Sequence, residues 1–522
     1  MITITGSGFG DNKGASVLNV GGAAAASILS WSDGEIQAIV PDDALTGAVK
    51  AKVQDKDSDE KHLVVLWDNE NPQNVGIVGS NWSPLSSQLI ADGSGGAILV
   101  WNDYRNYDPE SAAPHQINIY AQRLNSRGKK IWNSGEVPLS TAAGGQYFPQ
   151  LVSDGNGGAI VVWQDYRSGS NSDIYAQRIS PSGVLVWGSE VAVCAVVKDQ
   201  EKPKIVSDGA GGAIIVWQDI RSDSQYEVYA QRINGNGVPQ WTANGVAVST
   251  ASNNPQFLFP EITSDGSGGA IIVWQDYRSS TWYLYAQRID NAGTVKWTTD
   301  GVPVSTTAAS YQYVPCPVAD GLGGAIVAWK SSSGDIYAQR LDGSGAQQWE
   351  SAGTLISAAL GDQTAPQMTT DGNGGAIITW EDCRAGSAVR DIYAQRINAS
   401  GIVQWTTDGV PVSTAGYSQY EPQITPDGKG GAIITWYDYR KYDIVNNNGV
   451  LQGVDTFAQR ISNDGIALWT TDGEAISTAD LHQKYPKIAS DESGGAIILW
   501  EDERTGATVD LYAQGISISG KQ

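Results

Sequence analysis

The sequence predicts an all-β protein, with a small β-sandwich followed by a closed eight-bladed β-propeller. Eight variants of a Ser-Asp-Gly-X-Gly-Gly-Ala motif each lead into an apolar segment ending in Trp. A period of 51 to 64 residues separates their aspartates, as is typical of propeller blades. These are Asp92, Asp154, Asp208, Asp265, Asp320, Asp371, Asp427 and Asp491. The 61 glycines, 19 tryptophans and 2 methionines fit short strands joined by tight turns.

The composition excludes several classes of partner and site. A formal net charge of −23 would repel a phosphate backbone, so we expect no nucleic-acid partner. No segment approaches the roughly 20 apolar residues that cross a bilayer, so we expect no direct membrane insertion. The three cysteines, Cys194, Cys316 and Cys383, lie in different repeats without paired spacing. They indicate neither a zinc site nor a disulfide framework.

Residues 1–68 precede the repeats and are predicted to form the sandwich. Alternating patterns at residues 2–5 and 48–53 are typical of strands. The segments at residues 2–10, 17–22, 30–32 and 40–41 resemble the IPT/TIG family of immunoglobulin-like domains. In bacterial surface and secreted proteins such domains commonly act as spacers, so the resemblance implies a secreted or cell-surface protein. Members usually have a strand and a Pro-rich entry before the first segment, and we expect a targeting segment to lie outside this chain.

Residues 69–522 are predicted to form the propeller. In the third repeat, for example, we expect strands at residues 203–206, 212–218, 227–233 and 238–248. The Asp-Gly-X-Gly-Gly segment supplies the glycines that a tight hairpin needs at positive φ. The eighth repeat stops after its third strand, and residues 75–80 resemble a fourth strand that could complete the last blade. A seven-bladed ring and an open solenoid are the alternatives.

Seven repeats continue after the Trp motif with an Asp and an Arg two residues later. An active site needs one asymmetric set of groups, so this repetition favours structural pairs that link neighbouring blades. The pairs are Asp103 and Arg105, Asp165 and Arg167, Asp219 and Arg221, Asp276 and Arg278, Asp382 and Arg384, Asp438 and Arg440, and Asp502 and Arg504. The recurring arginine of Tyr-Ala-Gln-Arg is interpreted as structural for the same reason.

No cofactor or metal is predicted. Each glycine motif offers one carboxylate, against the roughly six to eight oxygens that calcium takes, so a turn-stabilising Asp is favoured. A single calcium ion on the ring axis is the alternative. The sequence also lacks a Gly-X-Ser-X-Gly or His-Glu-X-X-His motif, and no catalytic residue is predicted.

The connections between second and third strands and between blades share one face and vary most, so we expect binding there. Aromatic rings in these connections can pack on sugars or on partner proteins. The candidate binding residues are Trp282, Tyr283, Tyr107, Tyr442, Tyr147, Tyr313 and Tyr420.

These observations favour an extracellular or cell-surface, non-catalytic binding or adhesion protein that recognises a glycan or a cell-surface protein. One alternative is a polysaccharide-degrading hydrolase or lyase with carboxylates near the axis. Another is a structural subunit of a surface layer or filament. Raised carboxylate pKa values in one cleft would favour the enzyme, and a shallow aromatic patch would favour binding. The oligomeric state is left open.

Overall fold

The structure is a computed structural model that describes most of the chain. The described residues are 2–5, 17–20, 23–24, 27–31, 35–39, 47–53, 56–57, 61–63, 75–78, 85–106, 116–132, 135–222, 225–251, 259–278, 282–305, 313–386, 389–441, 453–506 and 508–521. Within them, side chains are described from Ile77 onward, except at Val78, Leu85, Tyr313 and Val314. In this part of the chain no helix is long and apolar enough to span a membrane.

The chain divides into two compact units, Met1–Pro72 and Gln73–Gln522. The first unit contains two antiparallel sheets, as the sequence predicts for a small β-sandwich. One sheet has the order β1-β5-β4, and the other has β3-β2-β6-β7 with β8 also paired to β6. The strands are β1 (Ile2–Thr5), β2 (Val17–Val20), β3 (Ala23–Ala24), β4 (Ser27–Trp31), β5 (Glu35–Ile39), β6 (Gly47–Val53), β7 (Lys56–Asp57) and β8 (Lys61–Leu63).

The second unit contains β9 (Val75–Val78) and eight antiparallel blades whose strands follow chain order. Blades 1 and 2 contain β10 (Leu85–Ala91), β11 (Ala97–Asp103), β12 (Asn118–Leu124), β13 (Val137–Ser140), β14 (Gln146–Ser153), β15 (Ala159–Asp165), β16 (Asp173–Ile179) and β17 (Val191–Cys194). Blades 3 and 4 contain β18 (Gln200–Ser207), β19 (Ala213–Asp219), β20 (Glu227–Ile233), β21 (Val246–Ser249), β22 (Glu261–Ser264), β23 (Ala270–Asp276), β24 (Tyr283–Ile289) and β25 (Val302–Pro303). Blades 5 and 6 contain β26 (Tyr313–Ala319), β27 (Ala325–Lys330), β28 (Ile336–Leu341), β29 (Thr354–Ser357), β30 (Gln363–Thr370), β31 (Ala376–Asp382), β32 (Asp391–Ile397) and β33 (Val410–Ser413). Blades 7 and 8 contain β34 (Gln419–Pro426), β35 (Ala432–Asp438), β36 (Asp455–Ile461), β37 (Glu474–Ser477), β38 (Gln483–Ser490), β39 (Ala496–Asp502) and β40 (Asp510–Ile516).

The ring closes through β9, which supplies the fourth strand of blade 8. In register, Val78 lies opposite Leu511 and Val75 opposite Ala513. Ile77 is fully buried in the core between blades 8 and 1. The first strand of each blade contacts the first strands of both neighbouring blades, so these eight strands surround the axis. The all-β class and the eight-bladed ring are confirmed, and the seven-bladed and open arrangements are wrong.

The core lies between neighbouring blades. Every residue of β19 is buried, and Trp217 and Ile215 pack with Ile160 and Val162 of blade 2. The second strand of each blade contains, near its end, an equivalent Trp that is at most 2% exposed. Burial of a large side chain of this kind contributes about 2 kcal/mol, so the repeated tryptophans provide much of the stability of the ring.

The glycine motif forms the turn that the sequence predicts, and it also joins blades. Asp154 Oδ1 accepts the N–H groups of Asn156 at 2.8 Å and Gly158 at 2.9 Å. Its Oδ2 accepts Arg178 Nη2 at 2.8 Å, and Arg178 Nη1 donates to the Gly235 carbonyl of blade 3 at 2.8 Å. The same bond to the next blade is made by Arg123, Arg232, Arg288, Arg340, Arg396 and Arg460.

The Asp and Arg that follow each Trp motif form their ion pair within one blade. In blade 3, Asp219 accepts Trp217 Nε1 at 2.8 Å and Arg221 Nε at 2.8 Å. The guanidinium carbon of Arg221 lies 3.7 Å from the ring centroid of Tyr229 on the third strand. A further contact, from Arg221 Nη2 to Cys194 Sγ at 3.3 Å, reaches the neighbouring blade. The pair therefore ties the second and third strands of its own blade together.

Candidate functional site

The first strands surround the axis of the ring and begin on the face that carries the variable connections. We call the axial end of the ring on this face the axial mouth. In seven of the eight blades one residue has a positive φ at the same place near the start of the first strand, and in six of these the register with the second strand shifts there. In seven blades the described residues at this position are Ser86, Phe148, Lys202, Phe259, Ala365, Glu421 and Tyr485, with φ between 43° and 56°. Non-glycine residues in this conformation store backbone strain and concentrate at functional positions.

The neighbouring blade holds these strained residues in place. The N–H of Lys202 donates to Gln164 Oε1 at 3.1 Å, and that of Phe259 donates to Gln218 Oε1 at 3.2 Å. In blade 7, the N–H of Glu421 donates to Glu381 Oε1 at 2.8 Å. Each acceptor is the residue after the core Trp of the preceding blade. The backbone is thus the same from blade to blade while the displayed side chain differs, so the mouth is chemically asymmetric.

Four tyrosines of blades 7 and 8 form a cluster at one side of the mouth. The rings of Tyr420 and Tyr437 are stacked, with centroids 5.5 Å apart and planes at 21°. Tyr485 meets Tyr437 edge-on at 5.8 Å, and Tyr439 meets Tyr420 edge-on at 5.4 Å. Burial raises the pKa of Tyr437, so its hydroxyl stays protonated. Tyr485 is 43% exposed, so the cluster presents an aromatic surface to solvent.

Carboxylates and a lysine lie beside this tyrosine cluster. The pKa of Glu501 is raised to about 7, chiefly by burial; Lys487 opposes the shift, and Glu421 and Glu503 contribute to it. The side chain of Glu421 is exposed in the mouth, although surrounding protein raises its pKa as well. Burial lowers the pKa of Lys487. Arg390 pairs with Glu381, and its guanidinium lies 5.3 Å from the centroid of Tyr420.

Lys487 faces the axis two residues below the strained position of its strand. Burial, and to a smaller extent the charge of Lys204 on the non-adjacent blade 3, lowers its pKa, whereas Glu421 and Glu501 oppose the shift. Lys204 itself pairs with Glu261 of blade 4, with Nζ and Oε1 2.7 Å apart. Of the two axial lysines, Lys487 is therefore the one that lies beside the carboxylates of the tyrosine cluster.

The other side of the mouth is aromatic and cationic. Lys202 Nζ lies 4.5 Å from the ring centroid of Phe259 and 6.0 Å from that of Phe148. The two phenylalanines are 44% and 43% exposed. Because blade 3 lies opposite blade 7 in a ring of eight, this group faces the tyrosine cluster across the axis.

The candidate binding residues fall in different places. Tyr420 belongs to the tyrosine cluster, and Tyr147 packs edge-on against Tyr166 at 5.6 Å in blade 2. Trp282 packs on Tyr277 with centroids 5.1 Å apart, and Tyr283 begins the third strand of blade 4 opposite Asp276. Tyr107 and Tyr442 lie outside the described residues, as does the side chain of Tyr313.

The sequence analysis did not select Glu421, Glu501, Lys487, Tyr437 or Tyr485. The aligned repeats nevertheless show where these residues differ from those at the same positions of other blades. Tyr437 and Glu501 occupy the position after the core Trp, where blades 2 to 4 have glutamine. Glu421 and Tyr485 precede the proline of the first strand. As for metals, the described residues contain no group of three or more His, Cys, Asp or Glu placed to hold an ion.

Comparison with known proteins identifies the N-terminal unit. Residues 1–66 match the IPT/TIG domain family, so the chain begins with an IPT/TIG domain. A search of curated proteins finds no match.

Several solved structures are similar to this chain. They include a protein of unknown function from Dyadobacter fermentans DSM 18053, with 10% identity, a TM-score of 0.40 and coverage of 84% of this chain and 96% of that one. The BP39L lectin from Burkholderia pseudomallei has 10% identity, a TM-score of 0.46 and coverage of 77% and 100%. An ulvan lyase of polysaccharide lyase family PL25 has 9% identity, a TM-score of 0.45 and coverage of 85% and 96%. At these scores the likeness carries no argument about this chain.

Proposed function

We propose that the axial mouth binds a glycan, and that the chain is a secreted or cell-surface protein in which the IPT/TIG domain serves as a spacer. The observation that carries the binding proposal is the tyrosine cluster at the mouth. The exposed ring of Tyr485 can pack against the C–H face of a pyranose, and the rings of Tyr420, Tyr437 and Tyr439 fix its position.

Polar groups beside the cluster can form the hydrogen bonds that a bound sugar also requires. Glu421 and Glu501 provide carboxyl oxygens next to the rings, and a sugar hydroxyl can donate to either. The backbone beneath Glu421 is anchored by its hydrogen bond to Glu381. Binding therefore requires little ordering of the site, which favours affinity because less conformational entropy is lost.

The test is a glycan-array screen followed by calorimetric titration of the strongest ligand. Tyr485→Asn should weaken binding about tenfold or more, because loss of a stacking contact worth about 1.4 kcal/mol changes Kd by that factor. Asn tolerates the positive φ of 54° at this position, so the backbone is preserved. Repeating the titration with a chelator tests the alternative of a calcium ion on the axis.

Tyr417→Asn is the matched control. Tyr417 also has a positive φ, 66°, and is 54% exposed, but it lies in the connection before β34 rather than in the tyrosine cluster. We expect its Kd to equal that of the unmodified protein. Equal binding by the Tyr485 variant, or an equal loss in both variants, would show that the mouth is not the site.

A further inference from the structure

Glu501 is a mostly buried residue whose carboxyl group makes neither a hydrogen bond nor an ion pair with the described residues. It is 9% exposed, and solvent still reaches its carboxyl oxygens. The side chains at the same position in blades 2, 3 and 6 each accept the N–H of the strained residue in the next blade. Burying a charged group without compensation is costly, so a carboxyl group in this state is held as the neutral acid or is kept for a ligand.

The surroundings of Glu501 keep its proton available at neutral pH. Its pKa is raised to about 7, mainly by burial and to a smaller extent by the carboxylate of Glu421. Lys487 favours the charged form, so the group can still ionise when it gives up its proton. A carboxylic acid poised near neutral pH beside a binding surface has the properties of a general acid.

Glu421 provides a second carboxyl group with different surroundings. It is exposed to water in the mouth, whereas Glu501 is buried. Its strained backbone, with φ of 51°, is anchored by Glu381, and its carboxylate makes no hydrogen bond within the part of the chain that the structure describes. The mostly buried Glu501 and the water-exposed Glu421, on different blades, are an asymmetric pair of carboxyl groups of the kind that glycoside hydrolysis uses.

We infer that the mouth hydrolyses glycosidic bonds of the glycan it binds, with Glu501 as the proton donor and Glu421 as the base for water. This inference rests on the proposed glycan binding, because the tyrosine cluster must hold the sugar beside both carboxyl groups. The repetition of the Asp and Arg pairs argues against a catalytic role for those pairs. Among the described blades, Glu421 is the one glutamate at its repeat position. At the repeat position of Glu501 there is one other glutamate, Glu381, and it is paired with Arg390.

The reaction consumes one water molecule. Glu501 transfers its proton to the glycosidic oxygen as the bond from that oxygen to the anomeric carbon breaks, and the bonding electrons stay on the departing oxygen. Water bonds to the anomeric carbon and gives a proton to Glu421. The products are two free hydroxyl ends, and solvent carries the proton from Glu421 back to Glu501. Lys487 stabilises the ionised Glu501 between these steps.

Glu501→Gln tests the role of the proton donor. Gln164, Gln218 and Gln275 occupy the equivalent position in other blades, so the fold accepts glutamine there. Each polysaccharide that the protein binds is incubated with the full chain, and new reducing ends are measured with mass spectrometry of the products. We expect cleavage by the unmodified protein, with a rate that falls above about pH 7 as Glu501 loses its proton.

The variant should retain binding and lose cleavage by about a hundredfold or more, the usual contribution of a general acid. Glu421→Gln should lose cleavage as well. Glu227→Gln is the control, because Glu227 is similarly buried, at 6% exposed, but begins a third strand away from the mouth. It should cleave at the unmodified rate.

The outcomes separate the two proposals. Binding without new reducing ends would disprove hydrolysis and leave the binding function intact. Full cleavage by a folded Glu501→Gln protein would assign the chemistry to another group and overturn this inference. An array with no bound glycan would contradict the proposed function itself, and hydrolysis with it.

Discussion

At the level of single residues, Asp391 illustrates how a carboxylate can reduce stability within a repeated framework. It begins β32 opposite Asp382, is 5% exposed, and has a pKa that burial and then Asp382 raise to about 6. Because this lies above the unfolded value of about 3.9, stability is lost as the pH rises from about 4 to about 6. Asn118 at the same position of blade 1 shows that asparagine fits.

We therefore expect Asp391→Asn to increase the free energy of unfolding at pH 8, by at most about 3 kcal/mol for a shift of two pKa units. At pH 4 the gain should disappear, because Asp391 is protonated in the folded protein. Urea unfolding at both pH values measures the difference. The exposed Asp464→Asn control should show no change at either pH. A gain of equal size at both pH values would mean that charge is not its cause.

At the level of secondary structure, the strained bulge of each first strand yields a second prediction. Ala365 has a φ of 50° and a side chain too small to contribute a ring or charge to the mouth. Ala365→Gly should stabilise blade 6 by up to about 1 kcal/mol, because glycine adopts this conformation without strain. Ala247→Gly, on an exposed residue of β21, should instead destabilise the protein. Urea unfolding measures the change in the free energy of unfolding for both variants. Destabilisation by both would contradict the inference that the backbone at Ala365 is strained.

The repeats were enough to predict the blades but not these bulges. Motif spacing and the incomplete eighth repeat indicate eight blades and the closing segment, because each blade needs four strands. Residue types such as those of Phe148, Lys202 and Glu421 rarely adopt positive φ. The sequence therefore gives no indication of the bulge at these positions other than the proline that follows. The fourth strand of blade 3 was expected from residue 238 but begins at Val246. A turn intervenes, in which the Gly245 N–H donates to the Thr242 carbonyl and Gly245 lies against Trp217.

The sequence predicted only part of the candidate site, because the rest depends on contacts that the sequence does not reveal. Tyr420 was selected because an aromatic residue near a variable connection is a recognisable pattern. Glu501 was not, because its importance depends on a missing hydrogen bond, which the sequence cannot show. Gln164, Gln218 and Glu381 at the equivalent position have the same length and polarity but are bonded to the next blade. Sequence comparison of repeats thus identifies the position, and the contacts identify which copy differs.

At the level of the whole molecule, ring closure depends on β9. A chain that starts at Gln73 keeps this strand, whereas one that starts at Leu85 leaves the outer edge of β40 unpaired and removes the fully buried Ile77. We expect the first truncation to retain the melting temperature of the propeller. The second should melt at a lower temperature and aggregate, because an exposed strand edge recruits other chains. Calorimetry and size-exclusion chromatography measure both properties. If the two truncations melt together and stay monomeric, β9 is not the closure on which the ring depends, and stability must come from the arginine links between blades.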